Sequence, residues 1–471
     1  MSLRYHMFRL TNTLTGTTEV FAPADGSTVR MYACGPTVYD YAHIGNFRAY
    51  VFEDVLRRHL RSKPSKLIHV MNITDIDDKI IKNSMEQGVD IKTYTAPYVQ
   101  AFFEDSATLG IERPDIIANA TDYIHEMIEL VERLLETGHA YREGDSIYFR
   151  ISAFPSYGKL SRLDKRELKA GARIDADEYE KEQPNDFVLW KAPKDAREPR
   201  WNAPFGEGRP GWHLECSAMA MKNLGNTLDI HCGGVDNIFP HHENEIAQSE
   251  AVTGEPFVRF WVHGEHLLVE GEKMSKSKGN FYTLRDLVAR GYNPQAIRYL
   301  LLSVQYRKQL NFTLDGLGSA ERSLDRIKEF LFRLKTASLP PGSTTQLAEL
   351  LSRAQSQFEA GLDDDLNTAQ ALGAVFELIR ECNVALDNGG MREENRHAIV
   401  QWFSGVDARL SIVPAVEHLV QADDEIDDLV AARNEARKNR DFAASDRIRR
   451  QLLDRGIMIE DTREGTKWRR R

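Results

Sequence analysis

The sequence predicts an α/β protein of 471 residues: a parallel sheet interrupted by an insertion, followed by a helical bundle and a small basic C-terminal module. Three observations carry that prediction. Short apolar strands alternate with amphipathic helices over residues 28–138 and again over 226–254, the order of a sheet whose crossovers are helices. A charged stretch rich in Pro, Trp and Gly separates the two runs. From about residue 283 onward the pattern is almost exclusively helical.

TVRMYAC at 28–34 reads as a short strand. HIGNFRAYVFEDVLRRHL at 43–60 reads as a helix with Phe47, Val51, Val55 and Leu56 on one face. KLIHVMNITD at 66–75 is a second strand, followed by helices near 91–110 and 121–138; in the latter Ile124, Ile128, Val131 and Leu135 recur at helical spacing. DSIYFRIS then reads as an edge strand, and PNDFVLWKAPK and PFGEGRPGWH continue an irregular stretch to about residue 210. NTLDIHCGG and HHENEIAQSEAVTG restore the strand-helix order, and SLPPGST and DNGG later break the helical run. Past Pro414 the acidic QADDEIDDLV leads into two basic helices and a short tail, GIMIEDTREGTKWRRR. Residues 431–471 carry 13 Lys/Arg against 7 Asp/Glu.

A chain that is 42% hydrophobic and 28% charged is expected to be soluble, and at this length to hold several domains. It has no apolar run of membrane-spanning length, and its N-terminus lacks the basic start and apolar core of a secretory signal, so a cytoplasmic protein with no membrane partner is expected. The net charge of −10 provides no global attraction for nucleic acid, which must be held by local patches. The four cysteines, Cys34, Cys216, Cys232 and Cys382, are too scattered for a disulfide framework and read as metal ligands or core thiols.

Cys34, Cys216, His241 and Glu245 supply the S, N and O donors of a zinc site. Spacing alone leaves His242 as good a partner for Glu245 as His241, and Cys232 competes for the sulfur positions. A thiolate substrate on an open zinc position would be selected over a hydroxyl of similar shape. HIGN at 43–46 starts a helix, where backbone N–H groups face an anion. There Gly45 permits close approach of adenine or phosphate, and His43 and Asn46 can donate hydrogen bonds to a triphosphate. In KMSKS at 273–277, Lys273 and Lys276 can neutralise charge on an α-phosphate and a departing pyrophosphate.

Strand–HIGN–helix near the N-terminus and KMSKS more than two hundred residues later resemble the two signatures of class I aminoacyl-tRNA synthetases. Within that class MYACGPTVYDYAHIGN, MNITDIDDKI, RPGWHLECSAM, DIHCGGVDNIFPHHENEIAQSEA, EKMSKSKGNF and DFAASDRIRRQLLDRGIMIEDT resemble the cysteinyl-tRNA synthetase family, from about residue 8 to 468. The resemblance implies a Rossmann-type catalytic domain at 1–123 and 211–270, a connective insertion at 124–210 and a KMSKS loop and stem-contact region at 271–320. It further implies a helical tRNA-binding domain at 321–413 and an anticodon-binding module at 420–471. The expected activity is ATP-dependent ligation of L-cysteine to its tRNA through a cysteinyl-adenylate, with Mg2+ accompanying ATP and one Zn2+ selecting the thiolate.

Carried over residue by residue, the resemblance implies zinc on Cys34, Cys216, His241 and Glu245, with Cys232 outside the site. It implies a cysteine pocket lined by Thr74, Trp212, His231 and Asp236, and a contact of Lys276 with ATP. Asn46 stands where class I enzymes commonly have a second histidine, and cysteine-specific members are similar to this chain in having asparagine there. His43, Asn46, Lys273 and Lys276 are the expected catalytic groups. No dimerisation segment stands out, so a monomer is expected. Trp468 reads as local packing in preference to stacking on an unpaired base. Two other readings compete: a cysteine:amino-sugar ligase of mycothiol biosynthesis, which the tRNA-binding-like tail disfavours, and a non-catalytic RNA-binding paralogue, which the full set of reactive groups disfavours.

Overall fold

Five parallel strands form the central sheet: β1 (Thr28–Ala33), β2 (Lys66–Ile73), β3 (Ile116–Asn119), β4 (Leu228–Gly234) and β5 (Val258–Gly264). Their spatial order is β5-β4-β1-β2-β3, and every neighbouring pair is parallel. This computed structural model describes residues 8–162, 186–275, 278–414, 424–462 and 465–470. The chain runs outward from β1 to β3 and then returns to lay β4 on the other side of β1. That reversal opens a crevice at the carboxyl ends of β1 and β4, where open α/β sheets bind ligands. The Rossmann-type reading of the sequence therefore holds.

Helix α1 (Ile44–Arg61) follows β1 and buries Phe47, Val51, Val55 and Leu56, the face read from the sequence, together with Ile44, Phe52 and Leu60. Basic Arg58, His59 and Arg61 in its last turn complement the helix dipole. α1 is tied to the C-terminal helices by buried charge. Asp54 Oδ2 accepts Arg58 Nε at 2.8 Å and the fully buried Arg298 guanidinium at 2.5 Å, while His59 Nε2 lies 2.8 Å from Asp363 Oδ1. Two further helices on the crevice side matter for function: α2 (Trp212–Leu224), and α3 (Glu243–Thr253), which joins β4 to β5.

Between β3 and β4 the chain builds a helix, Ile124–Glu136, and a separate antiparallel sheet of Ala140–Glu143, Ser146–Phe149, Phe187–Lys191 and Arg209–Pro210, in that order. Ser146–Phe149 is an inner strand with all four residues buried, not the expected edge. Its second partner, Phe187–Lys191, arrives almost forty residues later, beyond the reach of any local pattern.

Helices Leu314–Thr336, Thr345–Asp363, Thr368–Asp387 and Glu393–Leu410 form the expected bundle; in the first, Leu317, Leu324, Ile327, Leu331 and Leu334 are buried at helical spacing. The C-terminal tail is not loose: Ile457–Thr462 and Gly465–Arg470 pair as an antiparallel hairpin against helices Asp424–Lys438 and Phe442–Asp454. There Trp468 Nε1 donates to Asp427 Oδ1 at 2.5 Å, and its ring packs on the Ile426, Val430, Leu452 and Ile457 cluster, the packing role preferred from the sequence. A second unexpected hairpin, Arg9–Asn12 with Thr17–Val20, precedes β1. No helix among the described residues is long and apolar enough to cross a membrane.

Candidate active site

Cys34 follows the last residue of β1, and its N–H donates to Cys232 O on β4 at 3.1 Å, which fixes it at the crevice. Cys216 lies in the second turn of α2, fully buried, with its thiol against that of Cys34. His241 and His242 occupy the turn before α3, and Glu245 its first turn. One ligand atom from each of Cys34, His241, His242 and Glu245 lies within 4.8 Å of the others, and all four residues are buried. Cys216 is not in that convergent set; it approaches the set through Cys34.

The histidines differ in what they touch. His241 Nε2 is 3.1 Å from Glu245 Oε1, its Nδ1 is 3.0 Å from His213, and its ring stacks on Trp212 at 4.3 Å. His242 Nε2 is 3.2 Å from Cys34 Sγ, and its Nδ1 is 2.8 Å from His263 Nε2; His263 Nδ1 in turn meets Thr13 Oγ1 at 2.7 Å. Burial holds His213, His241 and His263 down at about 3 and His242 well below its ordinary value, so all are neutral, each with one acceptor nitrogen. The Cys34 thiol is pushed well up, first by its hydrogen bond with Cys216 and then by burial. For Cys216 the hydrogen bond from Cys34 pulls down, but burial and Glu245 outweigh it and the thiol is raised.

Glu245 Oε1 is buried without a hydrogen-bond donor. A carboxylate oxygen, neutral imidazoles and facing thiols in one dry pocket lack the positive charge that would satisfy them together. The donor set fits a zinc-type cation.

Of the expected cysteine-pocket residues, Thr74 is buried, accepts Asn72 Nδ2 at 3.0 Å and donates to Glu215 Oε2 at 3.1 Å. Burial drives Glu215 well above the carboxylate range. Trp212 is 39% exposed, so it has a face open to the crevice. Asp236 is exposed in the short turn Val235–Asn237 after β4. His231 is fully buried behind Glu245, with Nε2 on Glu245 Oε2 at 2.9 Å and its ring stacked on Trp261 at 4.7 Å, so it supports that carboxylate.

The two signature motifs meet. His43 caps α1: its Nδ1 accepts Asn46 N at 3.1 Å, and Asn46 Oδ1 accepts His43 N at 3.1 Å. Ile44 N donates to Tyr282 O at 3.0 Å, and the His43 ring is edge-on to Phe281 at 5.2 Å. A Cβ on Gly45 would sit 3.0 Å from both the His43 ring and Met274 Cε, so glycine is what lets Met274 pack closely on the helix start. Lys273 is exposed on the short strand Glu272–Lys273. Lys276 lies outside the described residues. Cys232 and Cys382 are core thiols.

The family description "tRNA synthetases class I (C) catalytic domain" matches residues 20–322. A cysteine–tRNA ligase of Solibacter usitatus is 53% identical over 472 aligned residues, covering 100% of both chains. The chain belongs to the cysteine–tRNA ligase family of class I tRNA synthetases. The cysteine–tRNA ligase of Koribacter versatilis is 46% identical, covering 98% of this chain and 99% of that one. A "DALR domain" description matches 357–402 and "Cysteinyl-tRNA ligase anticodon binding domain" matches 420–469. A solved Mycobacterium tuberculosis methionyl-tRNA synthetase in complex with methionyl-adenylate superposes with a TM-score of 0.60 at 16% identity, covering 82% of this chain and 88% of that one. That likeness gives the fold. Sequence reasoning did not single out His213, His263, Tyr32, Glu215 or Glu243 in this cysteine–tRNA ligase family site. No spacing rule marks them, and their partners become visible only in the fold.

Proposed function

We propose that the chain ligates L-cysteine to its tRNA at the expense of ATP, with one zinc ion held by Cys34, Cys216, His241 and Glu245. The observation that carries this reading is the convergence of buried S, N and O donors at the carboxyl ends of β1 and β4. In the same molecule Met274 packs against the start of α1. His241 is preferred to His242 as the ligand on hydrogen-bond grounds. If Thr13 donates to His263 Nδ1 and His263 Nε2 to His242 Nδ1, the single proton of neutral His242 is on Nε2 and points at Cys34 Sγ. His242 then supports a thiolate and has no lone pair to offer a metal.

When bound, zinc supplies a soft seat that takes a thiolate in preference to the hydroxyl of serine. Thr74 and Trp212 bound the pocket, and Asp236 at its mouth attracts the ammonium group of the amino acid. His231 acts one layer back by orienting Glu245. The carboxylate of cysteine attacks the α-phosphorus of ATP, forming cysteinyl-adenylate and releasing pyrophosphate, with Mg2+ accompanying the phosphates. His43, Gly45 and Asn46 shape the helix N-terminus that receives the phosphates, and Lys273 and Lys276 offset the developing charge. A ribose hydroxyl at the tRNA 3′ end then attacks the adenylate carbonyl and AMP departs.

We assign 1–123 and 211–270 to catalysis, 124–210 to the connective insertion, 271–320 to the loop and stem contact, 321–413 to tRNA binding and 420–471 to the anticodon end. The protein is read as a cytoplasmic monomer. The deciding experiment charges purified total tRNA with labelled cysteine, with serine as control and bound zinc measured in the same preparation. Cysteine-only charging with one zinc per chain supports the reading. Cysteine-dependent pyrophosphate exchange without charging would instead support an amino-sugar ligase. Truncation before residue 415 should spare that exchange and weaken charging.

A further inference from the structure

Tyr32, the penultimate residue of β1, has no role in the function described above. It is fully buried and sits two residues before Cys34. Its ring lies edge-on to His231, 5.0 Å between centroids, and His231 holds Glu245. Its hydroxyl is buried without an oxygen or nitrogen partner and faces the Cys216 thiol. The ionisable groups around that hydroxyl are Cys216, Cys34 and Glu245, three of the four assigned ligands. A buried O–H without an acceptor is costly, and a protonated thiol is a poor acceptor. A metal-bound thiolate is a good one.

We propose that Tyr32 is a positioning residue of the metal site, donating its O–H to the Cys216 thiolate when the metal is bound. The inference rests on the zinc reading above. It supplies a symmetry that reading lacks: His242 serves Cys34 from one side, and Tyr32 serves Cys216 from the other. Charge explains the need. Two thiolates and a carboxylate around a divalent cation leave one excess negative charge in a buried site, and a substrate thiolate makes it two. Hydrogen bonds to the sulfurs disperse that excess, so a third thiolate can be accommodated. Tyr32 thereby favours the loaded metal and the binding of cysteine, without touching the reacting atoms.

The test uses the full-length protein loaded with Co2+, whose sulfur-to-metal charge-transfer band reports electron density on the thiolates. In Tyr32→Phe the band moves to lower energy, a chelator extracts the metal about tenfold faster or more, and KM for cysteine rises while KM for ATP holds. Placing 3-fluorotyrosine at position 32 strengthens the donor and must move the band the opposite way, which covers the case of a Phe variant that fails to fold. An unchanged band and unchanged extraction in both substituted proteins overturn the role of Tyr32 while leaving the metal reading intact. A wild-type chain that takes up no stoichiometric Co2+ or Zn2+ overturns the metal reading, and this inference with it.

Discussion

Replacing Cys216 with serine separates the two ligand sets that the geometry allows. Four-ligand zinc sites bind with roughly 10–16 kcal/mol, so an equal share per ligand is about 3 kcal/mol, or roughly a hundredfold in affinity. A serine hydroxyl does not ionise in this pocket, and Cys216 is 1% exposed, so bulk water has no path to the vacated position. Cys216→Ser should therefore weaken zinc binding about a hundredfold while leaving ATP affinity at the wild-type value, because the contact of Gly45 with Met274 is built from other segments. Cys232→Ser is the matched control. That thiol is equally buried, in the core around β4, so its loss costs about 1–3 kcal/mol of stability for a buried hydroxyl and no metal. The assay is zinc competition against a chromophoric chelator, with calorimetric ATP titration and urea midpoints on both variants. Wild-type zinc affinity in Cys216→Ser would refute the assignment and transfer the site to the convergent set Cys34, His241, His242 and Glu245. Parallel loss of zinc and ATP binding would mean that the variant had simply misfolded.

Glu243 collects Gly158 N, Leu160 N, Ser161 N and Ser161 Oγ at 2.8–3.1 Å. Glu243→Gln should free segment 157–162 and raise tryptic cleavage after Lys159 or Arg162 about tenfold; unchanged digestion would contradict it. His69 is buried with both ring nitrogens unpartnered, and burial holds it down at about 3. The unfolded chain binds that proton near pH 6.5 and the folded chain does not. Stability is therefore level above pH 6.5 and falls by about 1.4 kcal/mol per unit below it for this group. His69→Phe should flatten the decline measured by urea unfolding between pH 6.5 and 5, and parallel slopes would count against the argument. Gly45→Ala drives a Cβ onto Met274 and the His43 ring. Pyrophosphate exchange should drop about tenfold with zinc content intact, and undiminished exchange would show that the loop does not need that close contact.

Three of the five parallel strands and the first helix were legible: β2 gathers Leu67, Ile68, Val70, Met71 and Ile73 in eight residues, and α1 repeats an apolar face every third or fourth residue, whereas β3 and β5 were not read from the sequence. Both hairpins escaped notice because neither terminal strand alternates cleanly. TTEV has no buried residue, and the C-terminal strand carries Lys467, Arg469 and Arg470. At the site, the sequence pointed to Cys34, His241 and Glu245, which the fold brings together, but not to the layering around them. The family resemblance implied His231 as a pocket residue. Its partner is Glu245, fourteen residues on, and no spacing rule connects a strand interior to the first turn of the next helix. The proton chain from Thr13 through His263 to His242 spans some 250 residues and is invisible before the fold is known.

The proposed metal site also gives a reason for the place of the insertion. Were the strands ordered as they occur in the chain, β4 would lie three spacings from β1, roughly 14 Å away, and Cys34 and Glu245 could not share an ion whose bonds are about 2 Å long. Returning the chain to the far side of β1 makes β1 and β4 neighbours, and the crossover that does so contains the insertion. A segment midway through the insertion is then fastened to the helix that carries Glu245. Glu243 takes the backbone of 158–161, Asn244 Oδ1 accepts Tyr157 Oη at 2.5 Å, and Glu250 pairs with Lys159 at 2.5 Å, while Glu245 on the same helix faces the thiols. A shift of α3 by a fraction of its bond lengths would move both at once. The position of α3 thus links docking of the 157–161 segment to the proposed metal site, and the Glu243→Gln variant should lose zinc affinity as well as protease resistance.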